Sequence, residues 1–587
     1  MRNIQQLLTE RLQAILPEAD REFGIVQSCQ DSKFGDYQAS TAMVLGKRDR
    51  KPPRELAEKL IAGLELSDLC ERPEIAGAGF INFRLKPEFA VRELGAESLF
   101  AGPAGKPQNA RIAEKPPAES RKIVIDFSSP NIAKPMHVGH IRSTILGDAL
   151  ARIHRFLGNE VIADNHLGDW GTQFGKLLYG YSHFLDDAAL AADPLGELER
   201  LYKVANDLCE KDESVLDACR KELALLQRGN PDRLELWKTF TTVSWQAFTK
   251  IYDRLGVTFD EHLGESFYND QLEEVISELK LKKIAEESEG ALCIFFREIA
   301  SLNDKPFLIQ KKDGAALYAT TDLATLKYRI KRWNPDEIIY VTDGRQQLHF
   351  QQLFTAAERW LAGVDWAPAR RPKLSHVWFG SILGEDKRPL KTRTGDPIRL
   401  SDLLDEAEAR AYLLVNEKNP DLSQDERKGI ARAVGIGAVK YADLAQDRVR
   451  DYVFDWSKLL AFKGNTAPYL LYAVVRIESI YRKDRTLNSE LRTQNTLSLK
   501  ELEEIDLAKA ILKFPEVVQA SADDHRPHHL CFYLYNLAEK FSGFYENCPV
   551  LQSSGAIRES RLALCQKTAE VMRQGLYLLG IETVERM

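Results

Sequence analysis

The chain has 587 residues, 44% of them hydrophobic and 28% charged, with a net charge of −7. That length exceeds a single core, so roughly three to five domains are expected, and the ordinary apolar content excludes a disordered chain. The acidic balance excludes a globally basic nucleic-acid binder; any nucleic-acid surface is a local patch. No segment reaches about 18 uncharged apolar residues, which argues against a membrane span. Met1 to Pro17 mixes polar and apolar positions like an amphipathic helix and lacks a signal-peptide core. The cysteines (Cys29, Cys70, Cys209, Cys219, Cys293, Cys531, Cys548 and Cys565) are scattered without a C-x-x-C pair. That pattern fits free thiols in a reducing cytoplasm and offers no zinc site.

Residues 1–108 read as a small α+β domain. Helices near Ile4–Leu16 and Pro53–Leu64 flank the turn-rich Lys33-Phe34-Gly35-Asp36-Tyr37, and Ile75 to Leu85 alternates like a strand after its glycines. Residues 102–120, rich in Pro, Gly, Ala and Lys, read as a linker. Ile123-Val124-Ile125 is then a short β-branched run of buried-strand type. The polar stretch Asp126 to His140 leads into a helix with apolar Ile145, Leu146, Ala149, Leu150, Ile153, Phe156 and Leu157 at three- and four-residue spacing. Gly158-Asn159 ends that helix, and Val161-Ile162-Ala163 starts a second strand. Free N–H groups and the positive end of the dipole make such a helix start an anion site. His137 and His140 there can donate to phosphate oxygens, and Gly139 leaves room for a nucleotide to approach the backbone. A plainer reading has both histidines capping or filling the helix start.

Asn165-His166-Leu167-Gly168-Asp169-Trp170-Gly171-Thr172-Gln173 follows the second strand, where an open parallel sheet places its ligand crevice. Gly175-Lys176 is no Walker loop, since Trp170 stands where a glycine is needed and Leu177 replaces the Ser/Thr. Residues 186–290 are mostly helical, charged and poor in glycine, and read as an insertion. The sheet resumes with Ala316 to Leu323, where Asp322 opens or lies early in a helix reaching Trp333. Next come the buried strand Glu337–Val341 and the helix-opening Thr342 to His349. Tyr318 and Asp322 are the residue types a guanidinium ligand needs, a phenol and a carboxylate for its planar fork. Taken alone, an early-helix Asp is more often a cap or a dipole partner. Ser375 to Leu383 reads as one strand leading into the densest basic cluster, with Arg370, Arg371, Lys373, Lys387, Arg388, Lys391, Arg393 and Arg399. From Ser401, an expected N-cap, to Met587 the chain reads as nearly all helix, and exposed aromatics on such a domain can stack unpaired RNA bases.

His137-Val138-Gly139-His140 resembles the HIGH signature of class I aminoacyl-tRNA synthetases. With the preceding Ser128-Ser129-Pro130-Asn131-Ile132-Ala133-Lys134-Pro135-Met136, it resembles the arginyl-tRNA synthetase family in particular. Asn165 to Gln173, Tyr318 to Asp322, Asp343 to His349, the Lys391-Thr392-Arg393 loop and the Val584-Glu585-Arg586-Met587 ending are similar to that family too. The resemblance implies an α/β fold: a Rossmann-like parallel sheet over 109–400 with its helical insertion, a helical connection over 401–460, and an all-α anticodon-binding domain over 461–587. It implies that the N-terminal domain touches the tRNA elbow. ATP would meet Pro130, His137, Gly139, His140, Lys391, Thr392 and Arg393. Arginine would meet Asp126, Ser128, Asn131, His166, Tyr318, Asp322 and Gln346. Tyr469, Tyr472, Tyr545 and Met587 are the tRNA-side candidates. Lys391 and Arg393 stand in a degenerate KMSKS loop that lacks its usual second lysine, and Lys134 holds the place thought to compensate.

The implied reaction joins L-arginine to tRNA(Arg) at the cost of ATP, in a cytoplasmic monomer. Magnesium accompanies the nucleotide, bound tRNA precedes activation, and the terminal 2′-hydroxyl accepts the amino acid. No nucleophile is needed, because catalysis is positioning and charge stabilisation. One alternative is another synthetase or nucleotidyl transferase with the same phosphate site. The other is a non-catalytic tRNA-binding paralogue.

Overall fold

Three β-branched residues in a row, Ile123, Val124 and Ile125, are fully buried, as a strand covered on both faces requires. In this computed structural model they lie in Lys122–Asp126, a central strand of a parallel four-stranded sheet. Its order is Lys373–His376, Glu337–Tyr340, Lys122–Asp126, Glu160–Asp164. The structure describes residues 1–29, 31–95, 99–100, 120–366, 368, 370–391, 397–483 and 497–587. Among them no helix is long and apolar enough to cross a membrane.

The register sets Asp126 directly beside Asp164, so two aspartates stand at the ends of adjacent strands. Both are buried. Arg329, from helix Tyr318–Trp333, lies between them with no exposed surface. Its Nη2 is 2.6 Å from Asp126 Oδ2 and 2.7 Å from Asp164 Oδ2. The expected strand Ser375–Leu383 is two pieces. Lys373–His376 joins the sheet, whereas Ile382–Leu383 pairs with Tyr452–Val453. The break has a cause at Gly380, where a Cβ would stand 2.6 Å from Asp451 Oδ1 and 2.8 Å from the Arg450 backbone. The carbonyl of Gly380 accepts from Arg142.

The insertion consists of Asp187–Ala192, Pro194–Cys209, Glu213–Gln227 and Pro231–Leu255, followed by Leu272–Leu281. Helix Thr172–Phe184 packs so closely on it that a Cβ on Gly175 would lie 2.3 Å from the Cys219 carbonyl. Gly175, set aside above as a phosphate-loop residue, is a packing glycine. A small antiparallel sheet, Glu286–Ser288, Ala291–Ile294 and Phe307–Gln310, had no expectation in the sequence.

The N-terminal domain is a four-stranded antiparallel sheet, Val26–Ser28, Tyr37–Ala39, Phe80–Phe83, Glu74–Ala76, with helix Ile4–Ala14 against it. The Tyr37 end of its Phe-Gly-Asp-Tyr turn faces inward, while Phe34 is exposed. Gly35 has φ +119°, and a Cβ there would come within 2.7 Å of the Phe83 carbonyl. Asp36 pairs with Lys509 at 2.8 Å, while the Tyr37 hydroxyl donates to Glu516 at 2.9 Å and Ser28 to the same carboxylate at 2.8 Å. These bonds fasten the domain to the C-terminal helices Leu502–Leu512 and Phe514–Asp523.

The helical region begins at Leu400, one residue before the expected cap. Ser401 makes no N-cap; its hydroxyl donates to Asp402 instead, and Arg399 holds the cap position. The long helices are Leu400–Lys418, Gln424–Leu444, Ala467–Lys483, His528–Asn547 and Gly555–Leu578. Arg142, buried on helix Val138–Phe156, ties this region to the sheet. Its Nε meets Asp443 at 2.7 Å, and its Nη1 donates to the carbonyls of Gly380 and Arg450. Arg142→Gln leaves Asp443 as an unpaired buried charge and is expected to lower stability by about 3–5 kcal/mol. Urea unfolding followed by circular dichroism checks this; a loss below about 1 kcal/mol refutes it.

Candidate active site

The loop leaving the central strand is held in a costly conformation. Ser128, Ser129 and Ala133 have φ of +75°, +48° and +60°, each worth on the order of 1–3 kcal/mol for a residue with a side chain. All three donate their backbone N–H to a side-chain oxygen of another element: Ser128 to Ser143 at 2.9 Å, Ser129 to Asn165 at 3.1 Å, Ala133 to Ser244 at 2.9 Å. The loop is also zipped to the next one, with Ile132 N–H donating to Gly168 O and Gly168 N–H to Pro130 O, both at 3.1 Å. A Cβ on Gly168 would stand 2.2 Å from Asn131 Oδ1, so any larger residue there would displace the Asn131 side chain.

His137 is the N-cap of the helix Val138–Phe156. Its Nδ1 accepts from the Gly139 N–H at 3.0 Å, and His140 Nδ1 accepts from the His137 N–H at 3.1 Å. Both Nδ1 atoms are therefore unprotonated, and in each neutral ring Nε2 carries the hydrogen. Burial lowers both rings' affinity for a proton. For His137 the charges of Arg345 and Lys134 add to it; His140 falls to about 3, with His137 contributing. Two neutral Nε2–H donors thus stand at the positive end of a helix. The capping reading and the donor reading hold at once, on different nitrogens. The space beside Gly139 receives the His137 ring, since a Cβ would sit 2.8 Å from its Cε1.

Lys134 lies 4.5 Å from the centroid of Tyr202, on insertion helix Pro194–Cys209. The Val138 N–H donates to Ile398 O and the Leu400 N–H to Met136 O, both at 2.9 Å. Lys391 forms a bridge to Pro397, so the ends of the basic loop are brought together beside the histidine motif. Thr392 and Arg393 lie outside the described residues. Arg399 reaches Glu199 at 3.1 Å and Asp193 at 3.5 Å.

Tyr318 is the first residue of its helix, and Asp322 lies early in it, one turn on. Asp322 Oδ2 is 2.6 Å from His349 Nε2, and Tyr318, 65% exposed, sits over the same imidazole with centroids 5.2 Å apart. His166 donates from Nδ1 to Leu263 O at 3.1 Å, which leaves Nε2 as an acceptor. Gln346 is exposed at the start of helix Gln347–Ala362. Asp126 is committed to Arg329 and to the Ser129 hydroxyl at 3.0 Å. Ser128 is buried, its hydroxyl bonded to Thr144 and Tyr252, both at 2.9 Å. On the helical domain, Tyr472 is 48% exposed, Tyr469 packs 5.6 Å from Tyr535, and Arg476 covers Tyr545 at 4.4 Å. Arg482 donates to the Glu585 carbonyl, two residues from Met587.

Sequence reasoning missed Arg329, Arg345, Glu265 and the exposed Phe532. Arg329 is placed by long-range partners, Asp126 and Asp164, with no local pattern to announce it, whereas Arg345 pairs locally with Asp343. Burial, opposed by His166 and reinforced by Asp322 and Asp169, pushes the Glu265 carboxyl up to about 7.

A neutral histidine pair at the end of a central parallel strand, with a basic loop bridged to it and a long helical C-terminus, defines a class I aminoacyl-tRNA synthetase. The chain belongs to the arginyl-tRNA synthetase family. Residues 108–456 match the family described as tRNA synthetases class I (R), catalytic domain. Residues 2–85 match the arginyl tRNA synthetase N terminal domain, and 470–587 the DALR anticodon binding domain. The chain is 42% identical to an arginine–tRNA ligase of Fusobacterium nucleatum, covering 100% of this chain and 99% of that one. It is 43% identical to one of Chromobacterium violaceum over 100% of both. The arginyl-tRNA synthetase structures of Plasmodium falciparum and Thermus thermophilus superpose with TM-scores of 0.83 and 0.82 at 30% and 27% identity, over the full length of each chain.

The Glu265 shift gives a pH test. Between its ordinary value of 4.5 and about 7 the folded protein holds a proton the unfolded chain has released, so its contribution to stability falls as pH rises through that window. The melting temperature of the native chain is expected to drop relative to Glu265→Gln as pH rises from 4.5 to 7. Parallel curves in scanning calorimetry refute this.

Proposed function

We propose that ligation of arginine to tRNA(Arg) runs on these side chains in the following roles. A carboxylate oxygen of arginine attacks the α-phosphorus of ATP, the bond to the pyrophosphate oxygen breaks, and arginyl-adenylate forms. A ribose hydroxyl at the tRNA 3′ end then attacks the acyl carbon and AMP leaves. The supporting observation is the pair of neutral imidazoles whose Nδ1 atoms are consumed by the helix cap, leaving Nε2–H donors for phosphate oxygens. Charge developing on those oxygens is met by donors already in place, so little reorganisation is needed.

Lys134 and Lys391 supply positive charge to the pyrophosphate, joined by Arg393, and Arg345 adds to the same field. The Pro130, Gly139 and Thr392 segments complete the nucleotide cradle. Among the described residues no three His, Cys, Asp or Glu side chains form a group suited to a metal ion. Magnesium enters with ATP, held by its phosphates, and neutralises part of their charge.

Asp322, oriented by His349, takes the guanidinium fork, with Tyr318 covering it. The free Nε2 of His166, with Asn131 and Gln346, holds the amino and carboxyl ends. Asp126 and Ser128 shape the loop beneath them. Lysine has the charge without the planar fork and leaves the Asp322 geometry half used. Tyr469, Tyr472, Tyr545 and Met587 form the anticodon-side surface of a cytoplasmic monomer.

ATP–pyrophosphate exchange tests the reading. Arginine-dependent exchange is expected only with tRNA present, and not with lysine; no exchange under any condition, with tRNA still bound, overturns it. His140→Asn keeps an acceptor near Nδ1 for the cap and loses the Nε2 donor. It is expected to cut kcat by about 10²–10³-fold with little change in melting temperature. Asp322→Asn is expected to raise KM for arginine by about 10²-fold or more while KM for ATP stays within about twofold. Equal rises in both constants would refute the guanidinium role.

A further inference from the structure

Two of the scattered cysteines are neighbours in space. Cys209 ends insertion helix Pro194–Cys209, Cys219 lies in the next helix Glu213–Gln227, and their Sγ atoms are 3.5 Å apart. Both are free thiols; Cys209 is half-buried and Cys219 is 3% exposed. A disulfide is about 2.05 Å long, so closure asks for about 1.5 Å of approach. Helix Thr172–Phe184 presses Gly175 against the Cys219 carbonyl and Gly180 against the Leu201 carbonyl, so both helices are held and closure loads the packing of each. The first of them is drawn from its last residue, Cys209. That same helix carries Tyr202, which covers Lys134, and Glu199, which pairs with Arg399 beside His137.

We propose that Cys209 and Cys219 are a peroxide-sensitive dithiol whose closure to a disulfide disturbs ATP use through Tyr202 and Glu199. The more accessible Cys209 thiolate attacks a hydroperoxide ROOH, the O–O bond breaks, and ROH leaves with Cys209 as a sulfenic acid. Cys219 then gives up its proton and attacks Cys209 Sγ; the S–S bond forms and the hydroxyl leaves as water with that proton. Two thiols are oxidised by two electrons, and ROOH is reduced to ROH and water. Burial, together with its bond to Cys209, pushes the Cys219 thiol up to about 12, so the second step quickens as pH rises. The functional half of this inference rests on the proposed place of Lys134 in the ATP site.

The full chain is treated with hydrogen peroxide, quenched, and assayed for aminoacylation before and after dithiothreitol. Peptide mass mapping is expected to show Cys209 linked to Cys219, with faster linkage at pH 8.5 than at pH 7. KM for ATP is expected to rise about threefold or more, the scale of a small displacement of a positioned group, and to recover with dithiothreitol. Cys209→Ser should show neither linkage nor the reversible rise. Absence of the linkage, linkage with unchanged KM, or the same rise in Cys209→Ser overturns the inference. Lys134→Ala, assayed reduced, separates the two readings. An unchanged KM for ATP in that variant refutes the ATP role of Lys134, while the linkage is still read by mass.

Discussion

Two aspartates at the ends of adjacent parallel strands would repel each other in a buried setting, and one arginine removes that conflict. Asp126 and Asp164 are register partners, and Arg329 is wholly buried between them. A buried ion cluster of this kind adds little net stability compared with apolar packing, but removing one partner is severe. Its value here is positional. The charges hold the strand ends, and each strand end releases one of the two loops that meet at Ile132, Pro130 and Gly168. The loop that reaches His137 starts at Asp126; the one that carries His166 starts at Asp164.

Strain and capping follow from that anchor. Three residues with positive φ could not persist in a free loop, yet each has its N–H answered by a side chain from a different element, Ser143, Asn165 or Ser244. The loop therefore arrives at the helix N-terminus in one conformation. The helix cap then fixes both imidazoles by their Nδ1 atoms, and burial keeps them neutral. A structural cap and a pair of preorganised donors are one device.

What the sequence made legible was local and periodic. The histidine motif, the Tyr318 to Asp322 segment and the helical C-terminus are contiguous patterns; residue type and spacing left a plain capping role open for the first two, and the family resemblance pointed past it. The family then followed from the same stretches. Contacts between distant residues left no such trace. Arg329 looks like any charge on an amphipathic helix until Asp126 and Asp164 are beside it. Nothing local in the Phe34 to Tyr37 turn announces that Asp36 and Tyr37 face Lys509 and Glu516, some 470 positions away in the chain. Ser401 had the right residue type for a cap, but Arg399 is tied to His137 by a backbone bridge and the helix starts accordingly. Tertiary bonds overrode local preference at each of these places.

The basic loop lacks the second lysine usual in the family, and two charges outside the loop reach His137. Lys134 and Arg345 both depress the proton affinity of His137, which means their fields reach the ring that would face phosphate. Neither belongs to the loop. Lys134 is carried on the strained segment and held under Tyr202; Arg345 projects from the start of the opposite helix system, 87% exposed. The insertion, through Glu199 and Asp193 on Arg399 and Tyr202 on Lys134, grips both the fixed charge and the base of the loop. The same insertion packs on helix Thr172–Phe184 without room for a side chain at Gly175 and Gly180, so its contacts with Lys134 and Arg399 are backed by close helix packing.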